Sequence, residues 1–204
     1  MIWLQPNGDG FGSMLTAIIA TRESERILVP TLAALVPGAT AGLLTEVIVA
    51  DAGSRDATAE VTDIAGCRFM SDTAPVGARL KAAAETARAP WLLFLRAGAV
   101  PEPGWISAAE NFMGKAAGTD RLQAAVFRPA GRASTMRPGL SEFLTLLRAA
   151  FGGGPTPAQG LLIAKSFYVS LGGHPQDEDG EAALLRGIGR RRLVMLPATM
   201  EMRT

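Results

Sequence analysis

Glu46-Val-Ile-Val-Ala-Asp51-Ala-Gly-Ser-Arg-Asp-Ala-Thr58 is the stretch that decides the fold. From Leu43 to Ala50 the chain is almost wholly apolar, the pattern of a parallel strand covered on both faces. Asp51 then stands at the carboxyl end of that strand, where open α/β sheets build their ligand crevices. Gly53 relieves the turn, Ser54 or Asp56 can cap the following helix, and Ala57 to Ala65 carries that helix on. A carboxylate between a strand end and a helix start is placed to read the polar edge of a nucleotide.

The same alternation extends both ways. Leu15–Ala20 is a first strand, Ser24 an N-cap, and Ile27–Val36 a helix that Pro37-Gly38 is expected to stop. Downstream come a short strand at Cys67–Met70, a helix from Pro75 to about Arg88, and the most apolar strand, Pro90–Leu95. A helix follows from Pro103 to about Ala117, then a strand over Leu122–Phe127 and a polar loop over residues 131–138. Apolar residues at helical spacing between Leu140 and Phe151 predict an amphipathic helix, more often core-facing than membrane-facing. Lys165–Leu171 is a short helix, another helix passes through Leu184, Leu185 and Ile188, and Leu193–Leu196 is the final strand. This order predicts an α/β fold with a mostly parallel sheet flanked by helices.

Composition sets outer limits. The chain has 204 residues, 48% of them hydrophobic, enough for one domain with its own core. Its 20 basic and 19 acidic residues argue against capture of nucleic acid by bulk charge. A single cysteine, Cys67, excludes an internal disulfide and suits a reducing compartment, so a cytoplasmic protein is expected. Residues 1–13 are expected to be an extension or an expression remnant, with one domain over 14–204. Gly8, Gly10 and Gly12 follow no strand and open no helix, so they do not make a phosphate loop.

Asp51-Ala-Gly-Ser-Arg-Asp-Ala-Thr58 also resembles the D-G-G-S-x-D-x-T element of family 2 glycosyltransferases with the GT-A fold, in particular a small bacterial subgroup. The resemblance extends in order through Thr21, Gly77-Ala-Arg79, the strand to Leu95, Pro101-Glu-Pro-Gly-Trp105, Gly172-Gly-His-Pro175 and Glu178-Asp179. It implies transfer of a sugar from a nucleoside-diphosphate sugar, UDP- or GDP-linked, to an unknown acceptor with inversion. Thr21, Arg22, Asp51, Gly53, Gly77 and Arg79 would hold the nucleotide sugar, and Asp179 would be the general base. For Arg79, a salt bridge to Asp72 or Glu85 is the plainer reading. For Asp179 the plainer reading is helix capping, and for His174 it is packing. The resemblance leaves room for a peripheral membrane contact, and Arg190-Arg-Arg192 is read as a solvated turn. The oligomeric state is not legible.

One departure matters most. Where the family carries an aspartate-containing metal motif, this chain has Arg96-Ala97-Gly98. The family implies Mg2+ or Mn2+ bridging the diphosphate, but glycine offers no side-chain ligand. Ala158 likewise stands where a second acidic residue is found in the subgroup. Two readings stay open. Arg96 supplies the positive charge and transfer proceeds without metal, or the site has lost turnover and the chain is a binding or partner subunit.

Overall fold

The computed structural model describes residues 14–119, 121–130 and 154–204. The expected extension over residues 1–13, the loop over 131–138 and the helix over 140–151 lie outside them. One sheet holds β1 (Leu15–Thr21), β2 (Leu44–Asp51), β3 (Arg68–Ser71), β4 (Trp91–Arg96), β5 (Ala99–Pro101), β6 (Ala124–Pro129), β7 (Leu161–Ala164) and β8 (Leu193–Met202). Its order is β3-β2-β1-β4-β7-β6-β8-β5. Only β7 and β5 run against the other strands. Helices α1 (Glu25–Thr40), α2 (Thr58–Ile64), α3 (Val76–Thr86), α4 (Trp105–Ala117), α5 (Lys165–Ser170) and α6 (Gly180–Ile188) cover the faces.

The burial of β1 explains the two-sided core. All seven of its residues are buried, and successive side chains go to opposite faces. Leu15, Ala17 and Ile19 pack with Leu28, Leu32, Leu35, Trp105 and Phe112 of α1 and α4. Ile18 and Ala20 pack with Leu80, Ala83, Leu184 and Leu185 of α3 and α6. Burying one such Leu or Ile side chain contributes about 1.5–3 kcal/mol, so β1 anchors both layers. Among the described residues no helix is long and apolar enough to cross a membrane.

Two expectations need correcting. Pro37-Gly38 does not stop α1, which continues to Thr40 with Pro30 and Pro37 inside it. The missing proline N–H is tolerated because the helix is pinned there from outside. Gly38 lets the Trp105 indole lie where a Cβ would come within 2.7 Å of the ring, and Trp105 Nε1 donates to the Ala34 carbonyl at 3.2 Å. The last strand is also longer than Leu193–Leu196, because β6 and the unforeseen β5 pair with it on either side. Pro101 is tolerated on an edge strand, and Pro197 falls where the β6–β8 register shifts.

Behind β4, His174 is 2% exposed and packs edge-on against Phe94 at 4.7 Å. Its Nδ1 lies 2.8 Å from Tyr168 Oη, which also accepts the His174 backbone N–H at 3.0 Å. Burial lowers the His174 pKa to about 4 and pushes that of Tyr168 up to about 12. The folded imidazole therefore stays neutral while the unfolded one protonates near 6.5. This contribution is complete above pH 6.5 and is lost as pH falls toward 4. Urea midpoints measured between pH 7.5 and 4.5 are expected to fall, with a total loss on the order of 2–3 kcal/mol. His174→Phe should flatten that dependence; an unchanged slope would refute the assignment.

Candidate functional site

The chain leaves β1 to one side for β2 and β3, then crosses back to β4 on the other side. Such a switch point leaves a crevice at the carboxyl ends of the strands. A crevice of about 270 Å3 lies there, lined among others by Thr21, Arg22, Arg79, Arg96, Glu178 and Glu181. Three arginines face two glutamates, so the opening carries net positive charge and suits an anionic ligand.

One wall is the laced pair of loops after β1 and β2. Asp51 is fully buried. Its Oδ1 accepts from Thr21 Oγ1 at 2.8 Å and Ser54 Oγ at 2.6 Å, and its Oδ2 from the backbone N–H groups of Gly53 at 2.8 Å and Ser54 at 2.7 Å. Ser71 Oγ adds a longer contact at 3.4 Å. Burial pushes its pKa up, but the Ser54, Thr21 and Gly53 hydrogen bonds outweigh burial and hold it below the ordinary value. With these donors satisfied inside the chain, Asp51 organises the turn instead of offering an oxygen to a ligand. Gly53, at φ +78°, serves the same turn and does not line the crevice.

The lacing continues outward. Glu23 N–H donates to Ser54 Oγ at 2.7 Å, and Arg55 N–H returns to Glu23 Oε1 at 3.0 Å. Ser24 N–H donates to Thr58 Oγ1 at 2.9 Å, Glu25 N–H to Asp56 Oδ2 at 3.0 Å, and Ala57 N–H to Glu25 Oε2 at 3.0 Å. Asp56 Oδ1 also accepts from Thr58 N–H at 3.0 Å just ahead of α2.

Arg79 comes from the first turn of α3 and is 7% exposed. It does not pair with Asp72 or Glu85. Its guanidinium donates to the backbone carbonyls of Ala74, Thr21 and Ala50, bridging the ends of β1 and β2. Burial lowers its pKa and the Asp51 charge opposes that; guanidinium stays charged regardless.

The opposite wall corrects two further expectations. Gly77 does not face a ligand: a Cβ there would lie 1.8 Å from the Pro175 carbonyl oxygen, and its N–H donates to the Asp177 carbonyl at 3.1 Å. Gly180 meets it from the other side, with a Cβ position 2.8 Å from Gly77 Cα. This close crossing of the α3 and α6 starts brings Glu178 and Glu181 to the crevice, while Asp179 is exposed and does not line it. Arg96 is also not a free cation. Its Nε lies 2.9 Å and its Nη2 2.5 Å from Glu181 Oε2, with Glu181 Oε1 3.2 Å from Nε. These bonds to Glu181 raise its pKa against the effect of burial.

The turn after β4 settles how a metal would fare. Gly98 has φ +88°, and a Cβ there would lie 2.2 Å from the Arg203 carbonyl oxygen. Its N–H donates to the Ile27 carbonyl and Thr31 Oγ1, and its carbonyl accepts from Arg203 N–H at 2.8 Å. Among the described residues, no three His, Cys, Asp or Glu side chains come together as a metal site. With Asp51 saturated and Glu181 committed to Arg96, the described residues do not fit a divalent cation here.

Sequence reading therefore brought together Thr21, Arg22, Arg79 and Arg96 but passed over Glu181. The signal was available in Gly180, a second glycine that marks the close approach sinking Glu181 under α3.

No family model matches the chain, and no curated protein matches it in sequence. Solved structures do match. Glucosyl-3-phosphoglycerate synthase from Mycobacterium tuberculosis, crystallised with Mn2+, UDP and glucosyl-3-phosphoglycerate, superimposes with a TM-score of 0.68 at 18% identity, over 95% of this chain and 72% of that one. Mannosyl-3-phosphoglycerate synthase from Rubrobacter xylanophilus gives 0.63 at 15% identity, over 94% and 67%. The fold is that of the GT-A glycosyltransferases.

Proposed function

We propose that the chain is a family 2-type glycosyltransferase that moves a sugar from a UDP- or GDP-linked donor to an acceptor hydroxyl with inversion. The observation that carries this reading is the convergence of Arg22, Arg79 and Arg96 on the switch-point crevice of this fold. Solved neighbours crystallised with UDP and with phosphoglyceric acid support a donor of this class. Thr21 and Arg22 border the nucleoside, Arg79 fixes the strand ends beneath it, and Arg96 faces the diphosphate.

Of the two carboxylates at the crevice Glu181 is paired with Arg96, so Glu178, not Asp179, is the base in this reading. The acceptor oxygen bonds to the anomeric carbon, its proton passes to Glu178, and the nucleoside diphosphate leaves with the bonding electrons. The lost metal position favours a second reading, a nucleotide-sugar-binding subunit without turnover. Release of UDP or GDP from a donor panel, with phosphoglyceric acid among the acceptors, separates the two. Glu178→Gln is expected to lower turnover by roughly 100-fold or more. Nucleotide binding without turnover on any donor would favour the subunit.

A further inference from the structure

A guanidinium has two edges able to hold an oxyanion, one through Nε and Nη2 and one through Nη1 and Nη2. Glu181 occupies only the first. The Arg96 side chain is 46% exposed where it lines the crevice, while the Glu181 carboxylate is 9% exposed. A long arginine normally loses rotamer freedom when it binds; here the ion pair has already fixed it. Two residues beyond Arg96, Gly98 is walled by the Arg203 backbone and cannot carry a metal ligand.

Resting on the nucleotide-sugar reading above, we infer that Arg96 and Glu181 act as one unit in place of a metal ion. Glu181 is a positioning residue that turns the second guanidinium edge toward the diphosphate of the donor. It touches Arg96, not the ligand. The unit supplies one fixed guanidinium edge whose charge Glu181 offsets, and Arg79 and Arg22 supply the net positive charge of the crevice. No divalent cation enters.

The test is calorimetric titration of the full chain with uridine, UDP and GDP in chelator, then with Mn2+. The ratio of nucleoside to nucleoside-diphosphate dissociation constants isolates the diphosphate contribution. It should be unaffected by Mn2+, and Arg96→Ala should cut it by about 10-fold to 100-fold. Glu181→Gln should cut it by about 5-fold with uridine affinity unchanged. Glu181→Gln should add little once Arg96 is alanine. A merely structural role for Glu181 would instead weaken uridine and UDP alike. A Mn2+ requirement for UDP, or a ratio indifferent to both variants, overturns this inference and leaves the transferase reading intact. Failure of a folded protein to bind any of the three ligands overturns both.

Discussion

Gly77→Ala is expected to be among the most damaging single substitutions in the described chain. The added methyl would sit 1.8 Å from the Pro175 carbonyl oxygen and 2.9 Å from that of Asp177, both of them backbone atoms. No side chain can rotate away, so the start of α3 must lift off the 175–180 turn. Such overlap should cost roughly 3–5 kcal/mol, lowering the melting temperature by about 10 °C. Because that turn carries Glu178 and Glu181, diphosphate binding should fall with it. Gly187→Ala is the matching control. Its Cβ meets nothing within 4 Å in the same helix as Gly180, so it should stabilise by about 0.5–1 kcal/mol. Equal melting temperatures for Gly77→Ala and the parent would refute the close crossing.

Gly98→Asp follows as the second large effect, and it speaks to the metal directly. If the glycine were simple decay, restoring aspartate would restore a Mn2+ site. The backbone forbids this. The residue would need φ near +88° and a Cβ 2.2 Å from the Arg203 carbonyl oxygen. A strained backbone and a displaced β8 end should together cost roughly 3 kcal/mol or more. Melting curves of Gly98→Asp are expected to drop by about 6–12 °C, with no rise on adding Mn2+. A Mn2+-dependent gain in stability would show that the turn can reopen to a metal-binding form.

Much of this was legible before any coordinates. The buried runs of β1, β2 and β4 are nearly continuous apolar stretches, and each ends in polar residues that meet at one crevice. What escaped the sequence was set by partners far along the chain. Pro37 looks like a helix stop until Trp105 is seen packed on Gly38 just after it and bonded to the Ala34 carbonyl just before it. β5 is three residues long and exists only because β8 pairs with it. In the crevice, residue type identified the arginines but not their commitments. Arg96 appeared free because Glu181 lies 85 positions away, and Asp51 appeared available because spacing alone does not show that Gly53, Ser54 and the distant Thr21 all donate to it. Gly77 was placed by resemblance among the nucleotide-sugar-binding residues, whereas it packs against the Pro175 carbonyl.

The lacing between Glu23–Glu25 and Ser54–Thr58 also bears on motion. Five reciprocal bonds join these loops, and breaking any one leaves an N–H or a carboxylate without its partner. The loops therefore open together or not at all, and that side of the crevice behaves as an anvil. The α3–α6 side is tied to the same anvil, because Arg79 of α3 holds the Thr21 and Ala50 carbonyls at the ends of β1 and β2.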